Sequence, residues 1–353
     1  AFPEIQNETI NFLPRNYYDA HIRTTLPLIN TDIAANKQIH EQQVRLSQYD
    51  LDVYKRELVR DIKVAYFNYL SALRAAEIYR NAVELAREGR RVAEKLVNSG
   101  KGLPAHVLRS GSEETEAEAR LAEAEAAISN ARAYFNSLLN READTEIDTT
   151  FGQDAALLEA AAALNGVDTL FAGREELKAL ETATVIRSIQ LKMNRRYAVP
   201  KLNAFLDLGS QSEGLRFNDQ SRFYMAGLQL EVPLFAGNRN RHQVDQSRFD
   251  LQESQLQLAH AQQQLELAAS IAQRNLHTAW KNYQSAKKRL EAAQAYFRLV
   301  GKGYEAGTHT YLETLDARHQ YVTAQLAVQV NTFQVLSAAA ALEREQATYL
   351  FTR

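Results

Sequence analysis

The feature that most constrains this chain is a seven-residue apolar register that recurs at a distance of about 207 residues. Val44, Leu51, Leu58, Ala65, Ala72, Tyr79, Ala86 and Ala93 superpose on Leu251, Leu258, Leu265, Ala272, Ala279, Ala286, Ala293 and Val300. The same shift carries Gly100 onto Gly307, Leu108 onto Leu315, and Leu121, Ile128 and Phe135 onto Val328, Val335 and Leu342. One register held across a glycine turn marks an internal two-fold sequence repeat. Strict heptads imply helices that supercoil left-handedly against neighbours. The two long helices are expected over about 31–98 and 237–300, on the order of 100 Å each at 1.5 Å per residue. No globular core is that long.

Composition agrees with long elements. The 353 residues include only 6 Pro and 14 Gly, too few to punctuate several compact domains. The absence of Cys rules out disulfides and thiolate metal sites. A net charge of −2 without any basic run argues against a nucleic-acid partner. The longest apolar runs fall well short of the roughly twenty residues of a membrane-spanning helix, so entry into a bilayer would have to use strands.

Strand signals precede each long helix. Four prolines pair between the halves: Pro3 in FPEI with Pro200 in VPKL, and Pro27 in TLPLI with Pro233 in EVPLF. Period-two alternation sets Tyr18, Ala20, Ile22, Thr24, Leu26 and Leu28 on one face in the first half. Tyr224, Ala226, Leu228, Leu230, Val232 and Leu234 do the same in the second. Partner strands are expected at about 2–13 and 199–213, and Tyr17, Tyr18, Phe223 and Tyr224 gather near hairpin ends as a membrane aromatic girdle would. An ordinary half-buried hairpin explains the alternation equally well. It does not explain hairpins attached to helices of such length.

At the far end of the second long helix, Gly301, Gly303 and Gly307 are expected to break the helix and reverse the chain. Thr308 or Thr310 can cap the next helix, with Glu313 completing a capping box with Thr310. Glu313 and Asp316, three residues apart, share a helix face. Acid near a helix start also suits the dipole, so a solvated helix face is the plain alternative.

The motif G-Y-x-x-G-T-x-T-x-L-[DE]-x-L-D-A, here Gly303, Tyr304, Gly307, Thr308, Thr310, Leu312, Glu313, Leu315, Asp316 and Ala317, resembles that of the TolC-type outer-membrane efflux channels. VPLFAGNRNR at 232–241 and REELKALETA are similar to further segments of that family, in the same order. The resemblance covers essentially the whole chain. It implies a mainly α fold with a small β part, in which long antiparallel coiled-coil helices form an α-barrel tunnel. Two β-hairpins per protomer would contribute to a trimeric twelve-stranded β-barrel, which closes every strand edge in lipid. The expected domains are a first β-hairpin at 1–30, a first long helical hairpin at 31–140 and an irregular region with a short helix at 141–173. A helix at 174–198, a second β-hairpin at 199–235 and a second helical hairpin at 236–353 follow. Since the second hairpin is preceded by a helix and the first is not, an upstream helix is expected before residue 1.

The resemblance further implies a homotrimer in outer-membrane lipid, extending into the periplasm as the exit duct of a tripartite efflux or export system. Its partners would be a periplasmic adaptor and an inner-membrane pump. Lipid would face Tyr18, Ile22, Leu26, Leu28, Tyr224, Leu228, Leu230, Val232 and Leu234. The adaptor would meet the turns at Gly100, Lys101, Gly102, Leu103, Gly307 and Thr308. Glu313 and Asp316 would form the pore constriction, six carboxylates under threefold symmetry, attracting cations. Tyr304, His309 and His106 would hold the hairpins at the gate. His309 stands where the family commonly has a permanent cation, and His106 where it has an acid, so the expected contact depends on pH. No carboxylate is read at ligand spacing beside either histidine, and neither a metal nor a cofactor is expected. No nucleophile elbow, phosphate loop or dinucleotide fingerprint points to an enzyme, and Ser110 lies within a helical pattern. The competing class is a soluble coiled-coil scaffold, compatible with a mean hydropathy of −0.40.

Overall fold

The computed structural model describes residues 16–149, 158–159, 161, 173–214 and 218–349. In chain order these form β1 (Tyr17–Ile29), α1 (Thr31–Asn98), α2 (Pro104–Leu138), α3 (Glu175–Arg195), β2 (Lys201–Glu213), β3 (Arg222–Glu231), α4 (Arg239–Glu305) and α5 (Tyr311–Gln346). The fold is mainly helical with one small antiparallel sheet, ordered β1-β2-β3. The expected strand at 2–13 and most of the expected short helix near 153–164 lie outside the described residues. Two compact units make up the chain: Ala1–Ser47 with Ala179–Leu258, and Gln48–Lys178 with Ala259–Arg353.

The first unit carries the sheet. Ile22 faces Leu208 and Tyr224 across the strands, Thr24 faces Leu206 and Ala226, and Leu26 faces Ala204 and Leu228. The pleat turns the intervening residues to the other face, where Arg23 donates two hydrogen bonds to Asp207 at 2.7 and 2.6 Å. A register shift between Pro27 and Ile29 makes Ile29 the partner of Leu202 and hence of the Leu230 row, while Leu28 stays 50% exposed. Proline has no N–H to give to the ladder, so the strand bulges at that point. Helix packing in this unit uses small polar contacts, with Asn194 donating to Ser247 at 2.6 Å and the Thr184 and Ser254 hydroxyls 2.9 Å apart.

The second unit holds the apolar core. Phe67 and Leu70 of α1 pack with Leu276 of α4 and with Phe333, Leu336 and Leu342 of α5. A neighbouring cluster joins Ala65 and Tyr69 to Phe135 and Ile147. The heptad residues Ala86, Ala93, Ala272, Ala286 and Val300 are all buried, as a supercoiled seam requires. Val44 and Leu51 belong to the same register yet are 60% and 51% exposed. The start of α3 is fastened by charge: Arg56 grips Glu175 bidentately at 2.9 and 2.7 Å. Arg174 reaches both Glu176 and Glu345, and Arg344 binds Glu57.

Candidate functional site

Both helix-to-helix turns close in the same way. Gly100 and Gly307 adopt φ values of +73° and +74°, a conformation that costs glycine little. Around Gly100, its own N–H bonds Val97 O at 2.9 Å and the Lys101 N–H bonds Leu96 O at 2.8 Å. At Gly307 the corresponding bonds run to Tyr304 O at 3.0 Å and from Thr308 N to Gly303 O at 2.8 Å. Each is a Schellman cap. α1 ends at Asn98 and α4 at Glu305, α2 begins at Pro104 and α5 at Tyr311, so both pairs of ends lie 207 residues apart.

Gly301 and Gly303 do not break the helix as expected, because α4 continues to Glu305. A helix interior tolerates glycine at modest cost, and only position 307 requires the left-handed conformation. Gly303 has a different task. A Cβ there would lie 2.0 Å from Cδ2 of His309, so its bare backbone makes room for the imidazole.

Thr310 caps α5 with the full capping box. Its hydroxyl accepts from the Glu313 N–H at 3.3 Å, while Glu313 Oε2 accepts from the Thr310 N–H at 2.6 Å. His309 Nδ1 lies 3.2 Å from the same carboxylate oxygen. Glu313 stands four residues after His309, and the cap folds it back over its own turn, so a carboxylate does lie beside that histidine. The Thr310 N–H, the Thr310 hydroxyl and His309 together hold the Glu313 carboxyl below the ordinary carboxylate range. Glu313 and Asp316 are both exposed, and Asp316 accepts from Gln320 at 2.7 Å. Asp316 also edges a charged groove of about 670 Å³ whose lining includes Arg109, Glu113, Arg120, Arg318 and His319.

The two candidate gate histidines are not brought together. His106 of α2 stacks on Tyr311 of α5, ring centroids 4.8 Å apart and planes 25° apart. Tyr304 meets the same ring at 6.1 Å, tilted by 53°. Tyr311 is therefore the aromatic hub of this end of the protein, and it stands at a variable position of the motif, where sequence reasoning passed over it. Burial pushes its phenol pKa up. Arg318 was missed as well. Its guanidinium packs on Gly89 of α1, where a Cβ would come within 2.8 Å of Nη2, and burial lowers its pKa. A glycine inside an unbroken helical pattern was the available signal. Among the described residues, no group of three His, Asp or Glu side chains is placed to hold a metal ion.

On the sheet, Ile22, Leu26, Leu208, Tyr224, Leu228 and Leu230 are exposed, as are Val232 and Leu234 beyond the end of β3. Tyr18 stands at the polar end of this face, its hydroxyl 3.2 Å from Ser210 Oγ. No described helix is long and apolar enough to cross a membrane.

Long helical hairpins with glycine-capped turns, joined to a sheet that exposes an apolar face, define a membrane-associated helical-hairpin protein. The chain belongs to the outer membrane efflux protein family, whose model matches residues 6–141 and 167–345. It is similar to the cobalt-zinc-cadmium resistance protein CzcC of Cupriavidus metallidurans, at 22% identity over 86% of this chain and 71% of that protein. Its fold matches a membrane protein from Pseudomonas aeruginosa with a TM-score of 0.78 at 16% identity, covering 95% of this chain and 84% of that one. The outer membrane protein VceC of Vibrio cholerae matches with a TM-score of 0.75 at 14% identity, covering 94% and 87%. The chain is thus a non-enzymatic efflux conduit of the outer membrane, which sets aside the soluble scaffold.

Proposed function

We propose that three copies of this chain assemble into a channel-tunnel, the passive exit duct of a tripartite efflux system, with its entrance at the two glycine turns. The observation that carries the assembly is the uncovered heptad face. Val44 and Leu51 continue a register that is buried elsewhere, and Phe249 and Leu256 on α4 are 68% and 64% exposed. Apolar seams of this period are covered by neighbouring helices, and closed symmetry supplies them from further copies. In the same arrangement the exposed rows of β1, β2 and β3 face lipid within a twelve-stranded barrel, and the two helical hairpins reflect the internal repeat. A periplasmic adaptor docks on Gly100, Lys101, Gly102, Leu103, Gly307 and Thr308 and links the duct to an inner-membrane pump.

Glu313 and Asp316 form the constriction in this reading. Both carboxylates are exposed within one chain, as pore-facing groups must be. An acidic ring favours cations, and divalent metal cations are the cargo that this chemistry and the name of the curated relative support together. Planar-bilayer recording of the full-length protein tests the ring. Glu313→Ala with Asp316→Ala is expected to abolish cation selectivity and block by divalent cations. Unchanged selectivity would remove these residues from the pore.

A further inference from the structure

We propose that the helix-bearing end of the sheet carries a basic collar that binds the headgroups of anionic phospholipids. This rests on the reading that the apolar sheet face contacts outer-membrane lipid. Arg195 closes α3 and Arg196 follows it just before β2, while Arg239 and Arg241 open α4 just after β3. All four are exposed, and none has an ion pair or side-chain hydrogen bond among the described residues. The Asn194–Ser247 hydrogen bond ties these two helix ends together, so the cations converge on one end of the sheet.

Other exposed cations, such as Lys287 and Lys288 of α4, are likewise without ion pairs among the described residues; the four arginines differ from them in lying where α3 and α4 meet the sheet. Across the helical hairpins, cations such as Arg87 and Arg90 are engaged by Glu114 and Glu118. At the opposite end of the sheet Arg222 pairs with Asp219 at 3.1 Å. Beside the collar, the nearby acids Asp32 and Asp245 are already held by Lys201 and Arg248, leaving Glu231 as the exposed exception. Among the described residues, no internal partner neutralises the four arginines.

What adjoins them is apolar. Phe235 and Leu234, between β3 and α4, are 87% and 91% exposed, and Tyr197 beside Arg196 is 47% exposed. Aromatic side chains of this kind lie at the level of lipid headgroups. Arginines one step beyond them sit at phosphate depth, where a planar guanidinium matches phosphate oxygens. Each cation near an anionic surface adds to the attraction. The free charge and the apolar band are therefore complementary to a single partner, a negatively charged leaflet.

The test uses the full-length protein reconstituted into vesicles of phosphatidylcholine with phosphatidylglycerol, followed by detergent extraction and native mass spectrometry of retained lipid. The wild type is expected to retain phosphatidylglycerol about tenfold over phosphatidylcholine, a preference that shrinks at high salt. Arg195→Gln, Arg196→Gln, Arg239→Gln and Arg241→Gln combined should bring it near parity with insertion intact. If that variant fails to insert, Arg195→Gln with Arg196→Gln alone should halve the preference or better. Lys287→Gln with Lys288→Gln on α4 should leave it unchanged. Insertion with equal retention of the two lipids by the wild type, or an undiminished preference in the arginine variants, overturns the collar alone. A wild type that enters no bilayer overturns the lipid-facing reading and the collar with it.

Discussion

The imidazole of His106 stacks on the ring of Tyr311 at 4.8 Å, so one residue from each helical hairpin shares a single aromatic contact at the turn end of the protein. Tyr311 is 5% exposed, and its hydroxyl makes no hydrogen bond of ordinary geometry among the described residues. Tyr311→Phe should therefore be neutral within about 1 kcal/mol. Tyr311→Ala should cost about 3 kcal/mol locally and let the hairpins part, read as higher single-channel conductance. His106→Ala is expected to raise conductance less, because the Tyr304 contact remains.

Gly303 and His309 form a second checkable pair. Gly303→Ala drives a methyl into the imidazole, and overpacking of that kind costs about 1–3 kcal/mol. His309→Ala removes the obstacle. Thermal unfolding of the two single variants and the double should show strong non-additivity, with the double variant more stable than Gly303→Ala alone.

The start of α5 should respond to acid with a definite sign. Glu313 has a folded pKa below its unfolded value, so its contribution is fully present above the ordinary carboxylate range. That contribution is lost as pH falls through the folded pKa. Hydrogen exchange at the amides of residues 308–313 should lose protection below about pH 4.5. Glu313→Gln, which keeps an acceptor oxygen without the titration, should flatten that profile.

Arg56 and Glu175, with side chains 6% and 11% exposed, clamp α1 to the start of α3. Removing one partner leaves a buried charge uncompensated, so Arg56→Met should destabilise the protein by about 3–5 kcal/mol. Added salt should change this loss little, since buried pairs are weakly screened. Pairing Arg56→Met with Glu175→Leu should recover much of it.

Leu228 stands in the exposed apolar row with Leu26 and Ala204, whereas its neighbour Gln229 lies on the other face. Leu228→Arg should cost about 2–4 kcal/mol if the row lies near the bilayer midplane and reduce membrane assembly, scored by heat-modifiable mobility. Gln229→Arg should assemble normally.

Signals carried within a few residues were legible in the sequence. The heptads, the Thr310–Glu313 capping box and the alternation of β3 each depend on one local period or one turn. The Pro27 bulge was not, since alternation assumes an unbroken ladder and shifts every later residue by one face when the ladder breaks. Gly301 and Gly303 misled because glycine permits a helix end without enforcing one; the bond pattern around Gly307 decides where α4 stops. Tyr311 and Arg318 became visible only through partners that come from other helices.

Sequence by itself determined the long helices, the described strands and the family, because backbone periodicity and turn chemistry are written in neighbouring residues. Only the tertiary structure decided that His106 meets Tyr311 rather than His309, that Gly89 leaves room for Arg318, and that Arg56 reaches Glu175 across 119 positions. Such contacts depend on which helix faces pack together, and packing selects partners by shape and charge rather than by order along the chain.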